Sequence, residues 1–421
     1  MENCEESEHN PLSADREAEE IVFDKKLSGI AKRERIFALL SQKPDHGVAA
    51  AVDFLLKTQD ANTATYLAQY LELIPGAWEA KTRAAERLRV EEGLAEAVTW
   101  LVAWLPGTLL DGLISDFVSQ ADQDSPLIDV LFNIGVYAPE RLRPYADRIE
   151  NEDVQRSLLS GAPDELADAF AEKWRTEGDL SLLEALALIR TEYAVELVLS
   201  ARESVDEHSE WEMLCQLAGH LPDTGREAGH RPAHMGFITG QGMGNNIVGG
   251  RVEGDVPLCL ECASPAERLL RVSAADSPFD LKNDASFFWY SCGCEALDST
   301  TVRISEDGQT VLKVYYGPKG PAGKAVRLVP GGEQSLTLEV HRNQTGVSVE
   351  AVPGESLHQV GGLPRWVETE QHPRCPECHD AMPFLASVSS GPTLFGNMGF
   401  EGILYGFWCD GCRVSSTKFQ S

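Results

Sequence analysis

No stretch of this 421-residue chain stays apolar for the roughly 20 residues that cross a bilayer. The longest uncharged apolar run, Ala97 to Leu110, holds 14 residues and is broken by Pro106 and Gly107, so no membrane segment is expected. The opening MENCEESEHNPLSADREAEE lacks a basic stretch leading into an apolar core, which argues against an export signal and makes the cytoplasm the expected compartment. Basic residues are scarce: 36 Lys and Arg stand against 66 Asp and Glu, a formal charge of −30. A field of that sign repels a phosphate backbone unless a local patch overrides it, so nucleic acid is not the expected partner. Catalytic signatures are missing as well. There is no Gly-x-Ser-x-Gly elbow and no His-Glu-x-x-His helix, and carboxylates are too numerous to single out an acid/base pair. A protein without enzymatic activity is expected.

What is present is an ordinary globular composition, 43% hydrophobic and 24% charged, enough for two or three cores. Two textures meet near residue 230, with −24 on residues 1–230 and −6 on residues 231–421. The first texture is helical. Ile36, Leu39 and Leu40, then Val52, Phe54, Leu55 and Leu56, then Leu67, Leu71 and Ile74 recur at helical spacing. Breaks at Lys43-Pro44-Asp45, Pro75-Gly76, Pro106-Gly107, Ser125-Pro126 and Ala138-Pro139 return every 20 to 35 residues, as in stacked antiparallel helix pairs. This pattern predicts an irregular solenoid of the HEAT type over residues 21–221, with a compact bundle of the same helices as the alternative. Trp100 and Trp104, four apart, should share a helix face and lie in the core. Residues 1–20 read as a disordered acidic lead-in, and residues 222–246, rich in Gly and His, as a linker.

From residue 247 the period becomes that of strands. Thr301–Ser305 and Thr310–Tyr316 flank Glu306-Asp307-Gly308-Gln309, and Ser335–His341 and Gly346–Val352 flank Arg342–Thr345, so two hairpins are expected. The predicted fold class is therefore α+β and multidomain, an all-α helical-repeat domain followed by a β-rich zinc-binding domain.

Eight of the ten cysteines form four close pairs: Cys259 with Cys262, Cys292 with Cys294, Cys375 with Cys378, and Cys409 with Cys412; Cys4 and Cys215 are left over. Two such knuckles supply four thiolates to one tetrahedral Zn²⁺ and leave no open coordination position, the grammar of a structural site. A disulfide framework competes, but reduced thiols are expected in the cytosol and a chain of this size needs no staples. Two structural zinc ions are predicted. The two sets also align. Val248-Gly249-Gly250 precedes Cys259 as Val360-Gly361-Gly362 precedes Cys375, and Val272 and Val388 each lie 10 residues after the second cysteine of their set. First cysteine to third is 33 residues in one set and 34 in the other. On that count Phe287 to Cys292 should match Leu404 to Cys409, in duplicated units at about 247–300 and 358–421.

The second unit, with Val360, Gly361, Gly362, Pro364 and Trp366 followed by CPEC, MPFL, LYGFWC and CDGC, resembles the bacterial YwqG-like proteins and the eukaryotic programmed cell death protein 2 and Tsr4 proteins. The resemblance covers roughly residues 235–421. It is eroded in the first unit, where Arg251-Val-Glu-Gly254 replaces Leu363-Pro364-Arg365-Trp366. It implies a duplicated β domain and, from eukaryotic members, chaperoning of a ribosomal protein, whereas some bacterial members look like immunity or accessory factors.

Other motifs fail on chemistry. Cys375-Pro-Glu-Cys378-His379 spells a haem attachment site or a redox dithiol, but zinc-bound thiolates serve neither role. Gly317 to Ala325 has five residues between its glycines where a phosphate-binding loop needs four, and Ala325 in place of the Mg²⁺-holding Ser or Thr. His230 and His234 straddle Pro232, which argues against a shared ligand helix. The expected function is that of a cytoplasmic binder of a basic client protein, chaperone-like or immunity-type. An RNA- or ribosome-associated accessory factor and a hydrolase without a recognisable motif are the alternatives.

Overall fold

The computed structural model describes residues 17, 19–24, 26–41, 44–120, 128–149, 151–221, 231–242, 244–294, 299–322, 328–345, 358–367 and 372–421. Most of the expected lead-in lies outside these residues, but Glu17, Glu19 and Glu20 are helical and run into the buried Val22. Order thus begins before residue 21. The apolar periods form helices Gly29–Leu40, Pro44–Leu55, Ala61–Glu72 and Trp78–Val90, each burying one stripe. Local chemistry sets their ends. Asp60 accepts a hydrogen bond from the Thr63 N–H at 2.9 Å, an N-cap, and Pro44 opens its helix where its missing N–H costs nothing. The Pro106-Gly107 and Ala138-Pro139 breaks coincide with helix boundaries, while Ser125-Pro126 lies outside the described residues.

One helix departs from expectation. Glu92–Trp104 is a 13-residue 3₁₀-helix, far longer than the usual single turn. Its three-residue period puts Ala95, Val98, Leu101 and Trp104 on one face, all nearly inaccessible. Trp100 therefore falls on a different face from Trp104 and is half-buried, which corrects the shared face expected of an α-helix.

The remaining helices run Gly107–Gln120, Ile128–Tyr137, Pro139–Leu142, Glu152–Ser157, Asp164–Glu177, Leu180–Ile189, Glu192–Ser200 and His208–Leu217. Their apolar side chains form two cores, one from Val22 to Leu158 and one from Ala162 to Ala218.

The C-terminal part is β-rich. Its strands are β1 His234–Ile238, β2 Ile247–Val248, β3 Asp255–Pro257, β4 Glu267–Val272, β5 Ala285–Trp289, β6 Ser299–Ile304, β7 Val311–Val314, β8 Lys319–Pro321, β9 Gln334–Val340, β10 His358–Val360, β11 Phe384–Ser389, β12 Pro392–Thr393, β13 Gly396–Asn397, β14 Ile403–Cys409 and β15 Val414–Gln420. Eleven of them form one antiparallel sheet in the order β5-β4-β2-β9-β1-β10-β11-β14-β15-β6-β7. The sheet curls, so that the Phe288 N–H on edge strand β5 reaches the Thr417 hydroxyl on β15 at 3.3 Å.

The order shows how the two units meet. β1, which leads into the first unit, pairs with β10 of the second, and β9, which leads into the second, pairs with β2 of the first. β1 and β9 pair with each other about Gly236 and Leu338, so each unit lends the other a strand. The segment 222–246, expected as a linker, contains the central strand β1, buried on both faces; residues 222–230 lie outside the described residues. The β6–β7 hairpin forms as expected. For the other hairpin, β9 forms with β1 and β2 as its partners, and residues 346–352 are outside the described set.

β1 also joins the halves. Met235 and Phe237 belong to the first helical core, together with Leu394 from the β12–β13 hairpin. The Phe237 ring lies 5.3 Å from that of Trp104. The Tyr137 and His341 rings stack at 5.0 Å, and Asn343 Nδ2 donates to the Val136 carbonyl at 3.1 Å. Lys81 is sealed into this seam with its ammonium 4.1 Å over the Trp104 ring and donating to the Ile74 carbonyl at 2.7 Å. Burial pushes its pKa down to about 7 against the opposing pull of Glu339 and Glu72.

Candidate metal centres

All eight predicted ligands come together as predicted: Cys259, Cys262, Cys292 and Cys294 form one cluster and Cys375, Cys378, Cys409 and Cys412 the other, with the sulfurs of each within 4.8 Å of one another. Each cluster could hold one metal ion. Zn–S bonds near 2.3 Å in a tetrahedron place sulfurs about 3.8 Å apart, and Cys378 and Cys409 Sγ are separated by 3.7 Å. A disulfide needs about 2.05 Å, and the described cysteines are free thiols.

The backbone explains the convergence. In the first knuckle Cys259 N–H donates to the Ser264 carbonyl at 2.8 Å, Ala263 N–H to the Cys259 carbonyl at 2.9 Å and Ala266 N–H to the Pro257 carbonyl at 2.8 Å. The second unit repeats these bonds at the same offsets, Cys375 to Asp380 at 2.9 Å, His379 to Cys375 at 2.8 Å and Met382 to Pro373 at 2.8 Å. Ala263 and His379 both take positive φ, 57° and 65°, a turn that aims the N–H groups of the loop inward toward the sulfurs. Beyond the knuckles Gly249 N–H bonds the Leu269 carbonyl and Gly361 N–H the Leu385 carbonyl, at 2.9 and 2.7 Å. β4 and β11 bulge at these same two leucines.

The aromatic strands match differently from the cysteine count. Val272 pairs with Ala285 as Val388 pairs with Leu404, and Leu270 with Phe287 as Ala386 with Gly406. Trp289 is thereby equivalent to Trp408, and the first unit has three residues from that Trp to its third cysteine where the second has one. The longer approach accompanies a shorter second knuckle, Cys-x-Cys against Cys-x-x-Cys, which is why total spacing concealed the shift.

In the first cluster the Ser264 hydroxyl and N–H pull the Cys262 thiol down to about 6. Hydrogen bonding to Cys262 and Cys292 pushes Cys294 up, and burial raises Cys292. In the second, burial raises Cys409 and lifts Cys412 to about 11. Four thiols this close do not ionise together unaided. A dication supplies the missing charge, so binding should release protons.

Residues that sequence reasoning missed surround the second cluster. Asp410, between Cys409 and Cys412, accepts from the Lys282 N–H at 2.8 Å, the Asn283 N–H at 3.2 Å and Asn283 Nδ2 at 3.0 Å. Glu377, between Cys375 and Cys378, accepts from Lys313 Nζ at 3.0 Å and from the Tyr315 hydroxyl. Those two donors hold its carboxyl below the usual range. An acid inside a knuckle was the only available signal, and in a chain this acidic it carries little weight.

The other motifs take no part. His379 is exposed and outside the sulfur cluster, and His234 lies buried in β1 with Nδ1 3.0 Å from the Pro232 carbonyl oxygen. Lys319–Pro321, within the glycine-rich loop, pairs with β3. No helix among the described residues is long and apolar enough to cross a membrane.

No protein-family model and no solved structure matches the chain. A 65-residue segment is 40% identical to an uncharacterized protein, YpfL, of Salmonella typhimurium (strain LT2), a likeness covering 15% of this chain and 15% of that relative's length.

Proposed function

We propose that this protein is a non-enzymatic, cytoplasmic interaction factor in which two structural zinc ions stabilise the duplicated β half and the acidic helical half receives a basic client protein. The observation that carries this reading is where the charge lies. Between Ala162 and Ala218 there are 14 Asp and Glu against four Lys and Arg, a formal −10 in 57 residues, whereas residues 29–158 carry −7 in 130. Eleven of those carboxylates are exposed, among them Asp164, Glu165, Asp168, Glu172 and Glu196. Within the ion pairs of the described residues, only Glu212 of the 14 takes part. In the first helical core, by contrast, Asp53, Glu91, Asp111 and Asp116 are each held by a Lys or Arg. A dense, unneutralised field attracts cations and speeds their encounter.

Four-thiolate ligation without an open position favours zinc in a structural role, and the repeated knuckle bonds support the likeness to the YwqG-like and programmed cell death protein 2 group. The succession of helices packed on their chain neighbours fits a HEAT-like arrangement. The test is binding of an arginine-rich peptide to the full chain over a salt series. Neutralising Glu165, Asp168, Glu172 and Glu196 to Gln or Asn should weaken binding at least tenfold at low salt, and four equivalent changes in the first helical core should not. Binding that is indifferent to both salt and these changes would overturn the proposal, as would a preference for single-stranded RNA over the peptide.

A further inference from the structure

We propose that the two four-cysteine sites are coupled, so that metal bound at either one raises the affinity of the other; this rests on the metal-binding reading above. Both knuckles of the second site reach into the first unit, and each reach ends beside a knuckle of the first site.

The first route starts at Asp410, whose carboxylate takes the N–H groups of Lys282 and Asn283 at 2.8 and 3.2 Å and the Asn283 amide at 3.0 Å, while the Asp410 carbonyl takes a further bond from that amide at 3.2 Å. Lys282 and Asn283 close the loop that enters β5, and β5 runs directly into Cys292 and Cys294. The loop is braced again where Asp284 N–H bonds the Glu306 carbonyl at 2.9 Å and Arg413, next to Cys412, pairs with the Glu306 carboxylate at 3.0 Å. The second route starts at Glu377, which holds Lys313 Nζ at 3.0 Å and the Tyr315 hydroxyl. Three residues beyond Tyr315, the Pro318 carbonyl accepts the Leu258 N–H at 2.9 Å, immediately before Cys259. Lys313 and Tyr315 are at and just past the end of β7, a terminal strand with a single ladder neighbour in the large sheet, so its order depends on such ties.

A knuckle has two states, ordered around its metal and loosened without it. Loosening the second site frees Asp410 and Glu377, and with them the supports of both first-site knuckles. Since binding free energies are linked, the effect is the same in either direction.

The test is a Co²⁺ titration of the demetallated full-length chain, followed by thiolate-to-cobalt absorption. Wild type should take up two ions cooperatively. Cys412→Ser should lower first-site affinity about tenfold and Cys294→Ser should lower second-site affinity by the same factor, within the usual range for coupling. The combined variant Asn283→Ala, Lys313→Met, Tyr315→Phe leaves all eight ligands and both acids in place; it should still bind two ions, but independently. First-site affinity unchanged by Cys412→Ser, or cooperativity that survives the combined variant, would overturn the coupling and leave the metal reading intact. Failure of wild type to bind Co²⁺ at either site would overturn both.

Discussion

The first four-cysteine unit joins the main β core through Cys259, among Val248, Leu269, Phe287 and Trp289. The second builds a satellite core of its own from Trp366, Cys375, Met382, Phe384, Tyr405, Phe407 and Val414. Their knuckles and bulges are the same bond for bond, so the difference lies in what each unit leans on. Equivalent positions have become complementary: Gly406 stands where the first unit has Phe287, and a Cβ on Gly406 would come within 2.7 Å of the Phe287 ring. Repeats that share a sheet are free to diverge into each other's space, because the sheet fixes their backbones while side chains pack across the join.

The largest effect that should separate the units is loss of a ligand. Cys412→Ser removes metal-derived folding energy on the order of 10 kcal/mol and should unfold the second knuckle region, with near-ultraviolet dichroism from Trp366 and Trp408 lost and helical dichroism kept. Cys294→Ser should leave the Trp366 signal largely in place, since Trp366 belongs to the other core. Equal loss of that signal in both variants would mean that the satellite core has no separate existence.

Next in size is Trp366→Ala. The ring sits 4.8 Å from Tyr405 and 5.8 Å from Phe407, and truncating a buried Trp costs about 3–5 kcal/mol. The midpoint of thermal unfolding should fall accordingly, and second-site metal release should quicken more than first-site release.

The glycine turns test how alike the units are. Gly361 and Gly249 share a φ of +73°, where alanine is strained by roughly 1 kcal/mol. A Cβ on Gly361 would also meet the Pro232 carbonyl at 2.2 Å and the Phe279 ring at 2.5 Å, against 2.8 Å to the Gly332 carbonyl for Gly249. Gly361→Ala should therefore destabilise more than Gly249→Ala in denaturant titrations; the reverse order would place the tighter joint in the first unit.

The smallest effect concerns the seam on which both units hang. Lys81 titrates near 7 in the folded protein, against an ordinary 10.5. The unfolded chain binds more protons between those values, so this residue makes stability rise with pH across that window, by at most roughly 1 kcal/mol per unit. Below pH 7 both states hold the proton and the slope vanishes. Lys81→Met should flatten the rise between pH 7 and 10.5, and an unchanged slope would mean that another group produces it.

The sequence made the cysteine clusters and the helices legible for a simple reason. Thiol pairs at knuckle spacing and apolar residues at helical period are local patterns, and local geometry is enough to act on them. Leu67 and Leu71 needed only their own helix to be placed inside. The Trp100–Trp104 face failed because the same residues can be wound with either three or 3.6 to the turn, and packing against helices Ala61–Glu72, Trp78–Val90 and Ile128–Tyr137 favours the tighter winding. The alignment of Trp289 with Trp408 was hidden by two compensating length changes, which only the strand register separates.

By itself, then, the sequence determined the helical and β textures, the sets of four cysteines and the acidity of the chain, all properties of neighbours along the backbone. Tertiary structure alone decided that His234–Ile238 is a central strand and not a linker, because its Met235 and Phe237 find their partners in helices more than 100 residues earlier. It likewise decided that each unit borrows a strand from the other, and that Asp410 and Glu377 are ties and not two more surface carboxylates. A hydrogen bond across 64 or 128 residues leaves no period in the sequence, since its donors need only arrive at the right place, whatever lies between.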